Sequence, residues 1–203
     1  MTKPLPICDC DEVLLYFAGP FRTYLDEAHA LELNFESFAL SGNIRRKADG
    51  SLVERGDIRT LVDGFFASAM EGQPVVEGAV EALATLSGHY EIVILTNIRD
   101  VYRDRRRAQI AALGMPFPVY VNDGPKGPAV TTLMREHGRD AAVFIDDLPP
   151  HHSSVKRDAP HVHRLHMVAD PELRPLIRAA DDAHARIDTW SQALPYLIRQ
   201  AAS

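Results

Sequence analysis

The sequence predicts an α/β fold, in which a parallel β-sheet is covered by helices on both faces, together with a mainly helical insertion. Short apolar runs alternate along the chain with segments of helical periodicity, which is the pattern of an α/β protein. The apolar runs are rich in β-branched residues and do not alternate with polar ones, as is typical of strands buried on both faces. At 203 residues, the chain has the length of one domain, or of one domain with a modest insertion.

Each strand and helix of the predicted core follows from a local pattern. Apolar runs predict strands at residues 5–10, 92–96, 119–122 and 143–146, and a fifth strand is expected at 161–168. Helices are expected at 76–88, 99–113 and 127–138, and a last helix from about residue 189. In the first of these helices, Val76, Val80, Leu83 and Leu86 form an apolar stripe at helical spacing.

A long segment separates the first two strands. One crossover helix needs about a dozen residues or somewhat more, so the interval from 10 to 92 contains additional structure. The extra segment, 15–75, carries its own aromatic residues and is predicted to form a mainly helical domain. Residues 1–14 and 76–203 are then predicted to form the core domain. Within the insertion, the pair Asp49-Gly50 lies between residues with strand character and predicts a hairpin at 44–54.

Composition and charge exclude several classes of partner. The net charge is -6 and the pI is about 5.8, so neither nucleic acid nor an anionic membrane is an expected partner. The sequence contains neither a run of some 18 apolar residues nor an N-terminal signal peptide. Its two cysteines, Cys8 and Cys10, are too close together for a disulfide framework. The expected location is therefore a reducing cytoplasm.

Polar side chains follow the predicted strands at the point where each strand ends. They are Asp9 and Asp11 at the first strand, Thr96 and Asn97 at the second, Lys126 after the third, and Asp146 and Asp147 at the fourth. Ligands of an open parallel sheet bind outside the carboxyl ends of its strands, so these groups are expected to converge on one crevice. Acids gathered at one place repel one another unless a cation lies among them, and oxygen ligands are those that Mg²⁺ favours. The sequence therefore predicts a magnesium site among these acids.

The same groups are suited to phosphoryl transfer. Thr96 and Asn97 precede a predicted helix, whose first N–H groups and dipole attract anions, and Lys126 adds a positive charge, so all three are candidates for binding a substrate phosphate. A carboxylate is ionised at neutral pH and can attack phosphorus without a base to activate it. A carboxyl group two residues later can protonate the leaving oxygen and then activate the water that clears an aspartyl-phosphate. The expected substrate is a small phosphorylated metabolite.

Four segments resemble the motifs of the haloacid dehalogenase-like superfamily of hydrolases. Residues 7–14, Ile-Cys-Asp-Cys-Asp-Glu-Val-Leu, resemble the first motif, an apolar strand followed by Asp-x-Asp-x-(Val/Thr)-Leu. Residues 93–97, Val-Ile-Leu-Thr-Asn, resemble the second motif, and Lys126 matches the lysine of the third. Residues 143–147, Val-Phe-Ile-Asp-Asp, resemble the fourth. The order and spacing of the motifs also agree, and the resemblance covers residues 1–14 and 76–170.

This resemblance implies a Rossmann-like core with a helical cap inserted after the first motif, at 15–75, and a magnesium-dependent phosphatase activity. Asp9 would be the nucleophile and a metal ligand. Asp11 would be the general acid/base, and its backbone carbonyl would also bind the metal. Glu12 stands at a position where the family often has Gly.

The resemblance implies roles for the remaining candidates as well. Thr96 and Lys126 would hold the phosphoryl oxygens. Asp146 would complete the metal site, and Asp147 would bind the metal through water or orient its neighbours.

Several other residues are better explained by structural roles. Cys8 and Cys10 flank Asp9 and are expected to pack in the core. His161 and His163 would share a strand face, but no further ligand at a suitable spacing indicates a transition-metal site. The histidines at 151–152 are placed beside the pocket. The arginines between 99 and 107 are mixed with acids and are predicted to form the solvated face of a helix.

Other functions on the same fold stay open. A dehalogenase needs an Asp nucleophile but neither a metal nor a proton donor two residues later, so Asp11 argues against it. A phosphomutase keeps the same carboxylates and differs in what the cap admits. A catalytically silent binding protein would be expected to lose some of the acids, all of which are present. A two-component receiver domain has its acidic pair at the first strand and its lysine at the last, and the order of the motifs here excludes it.

Overall fold

The strands and helices follow one another in the order that an α/β protein requires. The computed structural model describes residues 3–201. In chain order, its strands are β1 (Leu5–Cys8), β2 (Leu31–Leu33), β3 (Ile44–Arg46), β4 (Val93–Thr96), β5 (Val119–Val121), β6 (Ala142–Asp146), β7 (His163–His166) and β8 (Ala185–Arg186). Its α-helices are α1 (Ala18–His29), α2 (Arg55–Ser68), α3 (Ala79–Leu86), α4 (Arg103–Ala112), α5 (Gly127–Glu136), α6 (Pro149–Asp158) and α7 (Trp190–Ala201).

Six of the strands form one parallel sheet in the order β5-β4-β1-β6-β7-β8. The two innermost strands, β1 and β6, lie side by side, with Ile7 opposite Phe144 and Cys8 opposite Ile145. The ladder continues one residue past β1, because the Asp9 N–H donates to the carbonyl of Ile145 at 2.8 Å. The predicted α/β class and its parallel sheet are confirmed, and the acids that follow β1 and β6 emerge side by side at one edge.

Successive residues of each strand point to opposite faces of the sheet and enter different cores. On one face, Cys8, Ile94 and Ile145 pack with residues of α3 and α7. On the other face, Ile7 and Phe144 pack with residues of α5 and α6. Both faces are therefore covered, which explains why the strand sequences show no alternation between apolar and polar residues.

The insertion between β1 and α3 has its own apolar cluster. Helices α1 and α2 bring Phe21, Leu25 and Phe65 together, and the two-stranded antiparallel sheet of β2 and β3 packs against them. The prediction of a mainly helical insertion is confirmed. Ile98 and Tyr102, which follow β4, also belong to this cluster. The division of the chain into domains at residues 15 and 75 stays a prediction.

The hairpin predicted at 44–54 is only part of the observed arrangement. Ser51 and Val53 do run back along β3, since the Arg46 N–H donates to Ser51 at 2.8 Å and the Val53 N–H donates to Ile44 at 2.9 Å. Gly50, in the turn, has a φ of 72°, as the Asp-Gly signal requires. However, the regular partner of β3 is β2, which the sequence analysis did not predict.

Two elements of the core were missed by the sequence analysis. Helix α6 begins with Pro149-Pro150 and is mostly polar, so its short apolar face left no clear periodicity. Strand β8 has only two residues, too few for a pattern of its own. Within the described part of the chain, no helix is long and apolar enough to cross a membrane.

The close contact between α5 and α6 makes a testable prediction. A Cβ at Gly127 would lie closer than 3.0 Å to the Ser154 carbonyl oxygen, so Gly127→Ala should force the helices apart and destabilise the fold by about 1–3 kcal/mol. Gly56, within α2, is the matched control because an added Cβ there meets nothing within 4 Å. Gly56→Ala should stabilise by about 0.4–1 kcal/mol. Urea unfolding measures both variants, and equal stability of the two would contradict the packing described here.

Candidate active site

Three carboxylates from neighbouring strands meet at the carboxyl edge of the sheet. Asp9 follows β1, while Asp146 and Asp147 end β6, and all three are buried. Each offers an oxygen that lies within 4.8 Å of those of the other two. Lys126, at the start of α5, is fully buried among them, and its Nζ lies 2.7 Å from Asp9 Oδ1 and 2.7 Å from Asp146 Oδ2. One buried ammonium group thus contacts two of the three acids.

Backbone groups fix the orientation of these acids. Asp146 Oδ1 accepts the Leu148 N–H at 2.8 Å, which turns the chain from β6 into α6. The imidazole of His152 donates through Nε2 to the Asp146 carbonyl at 2.9 Å, and His166 does the same to the Asp147 carbonyl at 2.8 Å. Asp9 Oδ1 also accepts the N–H of Cys10 at 2.7 Å. The strand ends are therefore held rigidly around the acids.

The carboxylates carry more negative charge than Lys126 can offset. Burial raises the pKa of Asp9 to about 7, against the opposing attraction of Lys126 and with a further contribution from Asp146. Burial, with Asp146 and Asp9, raises the pKa of Asp147 well above its ordinary value. Burial acts on Asp146 in the same direction, but Lys126, with smaller contributions from two histidines, lowers its pKa. Burial disfavours the ammonium of Lys126, yet Asp146 and Asp9 raise its pKa.

This donor set fits a magnesium ion. Its ligand atoms are carboxylate oxygens, close enough together to contact one ion. Its surplus of negative charge, visible in the raised pKa values of Asp9 and Asp147, is what a divalent cation would neutralise. Asp9, Asp146 and Asp147 are the side chains that would hold it.

The side chain of Asp11 lies apart from this cluster and has its own partners. Gln73 donates to Asp11 Oδ1 at 2.7 Å, and the guanidinium of Arg106 contacts the same oxygen at 3.1 Å. The Thr96 hydroxyl lies 3.4 Å from the other carboxylate oxygen. Thr96 ends β4 and is fully buried, and its hydroxyl faces Asp11.

Arg106 corrects one prediction of the sequence analysis. The arginines of 99–107 were predicted to be solvated, and Arg103 and Arg107 are exposed, but Arg106 is 0% exposed. Its guanidinium also lies 5.5 Å from the centre of the Phe66 ring. Burial disfavours the cation, yet Asp11 raises the pKa of Arg106 above its ordinary value. The stripe of α4 that contains Arg106 faces the site rather than solvent.

Directly after Asp11, Glu12 occupies a backbone position at which glycine would be expected. Its φ of 61° is left-handed, a conformation that favours Gly. Its Oε1 accepts the N–H groups of Phe17 at 2.9 Å and Ala18 at 2.6 Å, at the start of α1. Burial raises the pKa of Glu12 to about 7, although these two N–H groups favour its ionised form. The side chain thus caps the first helix of the insertion and offsets the backbone strain.

A chamber of about 330 Å³ lies over the acids. Four acids lie at its floor, and its polar wall residues are Asn97 and His151; the acids are Asp9, Asp11, Glu12 and Asp147. The other walls are aromatic or aliphatic. The insertion supplies most of them, including Phe17, Phe35, Phe38, Leu40, Val62 and Phe66.

The predicted site residues are thus brought together in two neighbouring groups. Asp9, Lys126, Asp146 and Asp147 form the first, and Asp11 with Thr96 forms the second. The Asn97 amide donates to the Gly124 carbonyl at 2.9 Å while its side chain lines the chamber. Gln73 and Arg106 were missed by the sequence analysis. The signal for Arg106 was its position on α4, four residues after Tyr102 and four before Ile110, both buried.

Comparison with solved structures shows which known proteins share this fold. The structure of YfnB from Bacillus subtilis, assigned to the HAD-type hydrolases and solved bound to magnesium, has a TM-score of 0.68 at 12% identity, over 97% of this chain and 99% of that one. A HAD family hydrolase from Deinococcus radiodurans, with bound phosphate and sodium, has a TM-score of 0.65 at 16% identity, over 99% and 96% of the two chains. A haloacid dehalogenase-like hydrolase from Streptococcus pneumoniae has a TM-score of 0.66 at 13% identity, over 96% and 98%.

The chain has the haloacid dehalogenase-like fold. The likeness covers at least 96% of both chains in each pair, so it includes the insertion as well as the sheet. No family model and no curated protein matches the sequence. The resemblance predicted from the four motifs is thereby confirmed at the level of the haloacid dehalogenase-like fold.

The repulsion around Asp147 predicts a measurable change in stability. An acid with a raised pKa in the folded protein costs stability above the pKa of the unfolded chain, because the unfolded chain releases the proton more readily. Asp147→Asn should therefore raise the melting temperature of metal-free protein at pH 8, by about 2–4 °C per kcal/mol of repulsion removed. The gain should disappear below about pH 4, where the carboxyl group is protonated in both states.

Magnesium should stabilise the wild type more than Asp147→Asn, whereas the metal-free variant is expected to be the more stable of the two. The ion should raise the melting temperature of the wild type more than that of Asp147→Asn, because the variant lacks one ligand and one charge. Asp140→Asn removes an exposed acid that precedes β6, and it should change neither result. Equal stabilisation of wild type and Asp147→Asn by magnesium would show that Asp147 takes no part in binding the ion.

Proposed function

We propose that this protein is a magnesium-dependent phosphohydrolase that cleaves a small phosphate ester through an aspartyl-phosphate on Asp9. The observation that carries this proposal is the placement of Asp9. Its carboxylate lies at the floor of a chamber, 2.7 Å from the ammonium of Lys126 and beside Asp146 and Asp147. A carboxylate, a fixed cation and a set of oxygen ligands on the same strand edge are the parts that phosphoryl transfer requires.

A magnesium ion at Asp9, Asp146 and Asp147 would supply positive charge to the phosphoryl oxygens and favour the ionised form of Asp9. Lys126 would supply a second positive charge from the side of α5. Its position between Asp9 and Asp146 keeps it charged, because both carboxylates raise its pKa. Thr96, at the end of β4, and the neighbouring Asn97 would hold the phosphoryl group on the side opposite to β6.

The reaction would proceed in two displacements at phosphorus. In the first, a carboxylate oxygen of Asp9 attacks phosphorus, the bond to the ester oxygen breaks, and the carboxyl group of Asp11 gives that oxygen a proton. In the second, water attacks phosphorus, Asp11 takes a proton from it, and the bond to Asp9 breaks to release inorganic phosphate. Asp11 lies outside the cluster of Asp9, Asp146 and Asp147, and it would carry out both proton transfers while Asp9 carries the phosphoryl group.

A proton donor at Asp11 distinguishes a phosphohydrolase from a dehalogenase, which needs none. Gln73 and Arg106 hold Asp11 at the floor of the chamber. A phosphatase and a phosphomutase share this arrangement, and they differ in whether the product of an ester is inorganic phosphate. The proposal is hydrolysis, so free phosphate is the expected product.

The decisive variant is Asp9→Asn. With magnesium present, the wild type should release phosphate from an unselective aryl phosphate, and excess chelator should abolish the release. Asp9→Asn should lower kcat by at least ~10³-fold, as expected when one member of a catalytic unit is lost. Asp140→Asn, the same change at an exposed position, should retain full activity. Near-normal turnover of folded Asp9→Asn would place the nucleophile elsewhere, and full activity in chelator would refute the metal requirement.

A further inference from the structure

The walls of the chamber differ sharply in chemistry from its floor. Above the acids, Phe35, Phe38 and Leu40 come from the loop at 34–43, and Val62 comes from α2. The core contributes Leu148 and Leu173. A group attached to a phosphoryl unit at Asp9 would therefore lie between apolar side chains from both parts of the chain.

Hydrogen bonds and packing fix the loop that supplies the aromatic walls. Asn43 is buried, and its amide donates to the Ser37 carbonyl at 2.7 Å and to the Ala39 carbonyl at 2.6 Å. These bonds fold the loop at 34–43 back on itself. Phe35 and Phe38 then pack against the core cluster that contains Leu173. The loop thus has a defined shape that presents aromatic side chains to the chamber.

No side chain of the chamber offers a positive charge to a second anionic group. Among the described residues that line it, none is Lys or Arg. A second phosphate or a carboxylate would lie near four acids, and the cations beside them, Lys126 and Arg106, are already paired with carboxylates. Hydroxyl groups along the apolar walls would lose their hydrogen bonds to water. At roughly the lower end of the 300–1,000 Å³ typical of ligand pockets, the chamber suits one small group.

A second cleft, of about 890 Å³, adjoins the chamber at Val62, Phe66 and Asn97 and contains arginines. Those arginines already have acidic partners: Arg59 lies 3.1 Å from Asp123, Arg99 lies 2.7 Å from Asp63, and Arg103 pairs with Asp100.

We propose, resting on the proposed phosphohydrolase function, that the substrate is a phosphate monoester whose leaving group is apolar and uncharged, about the size of one aromatic ring. The products are inorganic phosphate and the corresponding phenol or apolar alcohol. Water supplies the oxygen that replaces the ester oxygen on phosphorus, and the leaving oxygen carries away one proton.

The test compares benzyl phosphate with glycerol 3-phosphate, because both are esters of primary alcohols and differ mainly in polarity. In the presence of magnesium, kcat/KM for benzyl phosphate should exceed that for glycerol 3-phosphate by at least ~10-fold. Phe38→Ala should lower this ratio, since it removes one apolar wall and should reduce kcat/KM for benzyl phosphate more than kcat/KM for glycerol 3-phosphate. Calorimetry should show the same loss in the binding of benzylphosphonate, a probe that is not hydrolysed.

Phe117→Ala is the matched control. Phe117 is also half-buried, but it precedes β5 and packs on the core away from the chamber. It should leave the ratio unchanged. A ratio near one, or one that favours glycerol 3-phosphate, would overturn the inference about the chamber while leaving the phosphohydrolase in place. Hydrolysis of neither ester by the wild type would overturn both.

A second inference concerns Arg106 and depends on different contacts. An arginine without solvent is costly unless it is paired, and its carboxylate partner here is Asp11. Its other contacts are Cys10 Sγ at 3.4 Å and the face of Phe66. These contacts hold the guanidinium still, so it can in turn hold the Asp11 carboxylate.

We infer that Arg106 is a positioning residue for Asp11 and acts on turnover only through it. Arg106→Met should then lower kcat by ~10²-fold or more, on the scale of a lost general acid/base, with a smaller change in KM. Arg106→Lys keeps the charge without the fork of the guanidinium and should recover part of the loss. Arg107→Met, on the exposed side of the same helix, should have no effect.

A double-mutant cycle separates positioning from a structural role. In an Asp11→Asn background, Arg106→Met should change kcat by less than ~3-fold, because the group it acts through is already gone. An equal loss of kcat in both backgrounds would overturn the inference. Should Arg106→Met fail to fold, the same cycle with Arg106→Lys decides the question, since that variant keeps the buried charge.

Discussion

The structure depends on one electrostatic constraint, which is that three buried carboxylates lie together beside a single buried ammonium group. Asp9, Asp146 and Asp147 are brought together because β1 and β6 are adjacent and parallel, so that their ends coincide. Lys126 cannot neutralise all three, and the excess appears as the raised pKa values of Asp9 and Asp147. The packing of the surrounding strands and helices offsets the cost of burying these charges. The excess negative charge suits the site to bind a divalent cation.

The same constraint explains why Asp11 has a cation of its own. A fourth carboxylate close to the cluster would add further repulsion, and Lys126 is already shared. Arg106 supplies a separate positive charge from α4, and Phe66 of the insertion covers its guanidinium. Gln73, at the return of the insertion, donates to the same carboxylate, and Glu12 caps the helix with which the insertion begins. Both ends of the insertion are therefore bonded to the residues around Asp11, so its placement and that of Asp11 are coupled.

Most of the core could be predicted from the sequence because its signals are local, although α6 and β8 were missed. Apolar runs mark strands, and the acids that follow them must lie at the carboxyl edge of a parallel sheet. Arg106 and Gln73 could not be assigned in this way, because their roles depend on which side of α4 faces the sheet and on where the insertion returns. Arg106 was grouped with its charged neighbours, although its spacing from Tyr102 and Ile110 placed it on the buried stripe. The pairing of β2 with β3 was missed because each strand has only three residues.

In the proposed function, the two ends of a substrate would be bound by different parts of the protein. The phosphoryl end is common to every phosphate ester, so the acids and Lys126 can distinguish one ester from another very little. Discrimination must come from the walls, and their shape is set by tertiary contacts such as the bonds of Asn43 within the loop at 34–43. That loop contacts the core near Leu173 and is separate in sequence from every acid of the cluster. Its side chains can therefore change without altering the charge balance around Asp9, so the selectivity of the proposed phosphohydrolase could vary without a change in its proposed chemistry.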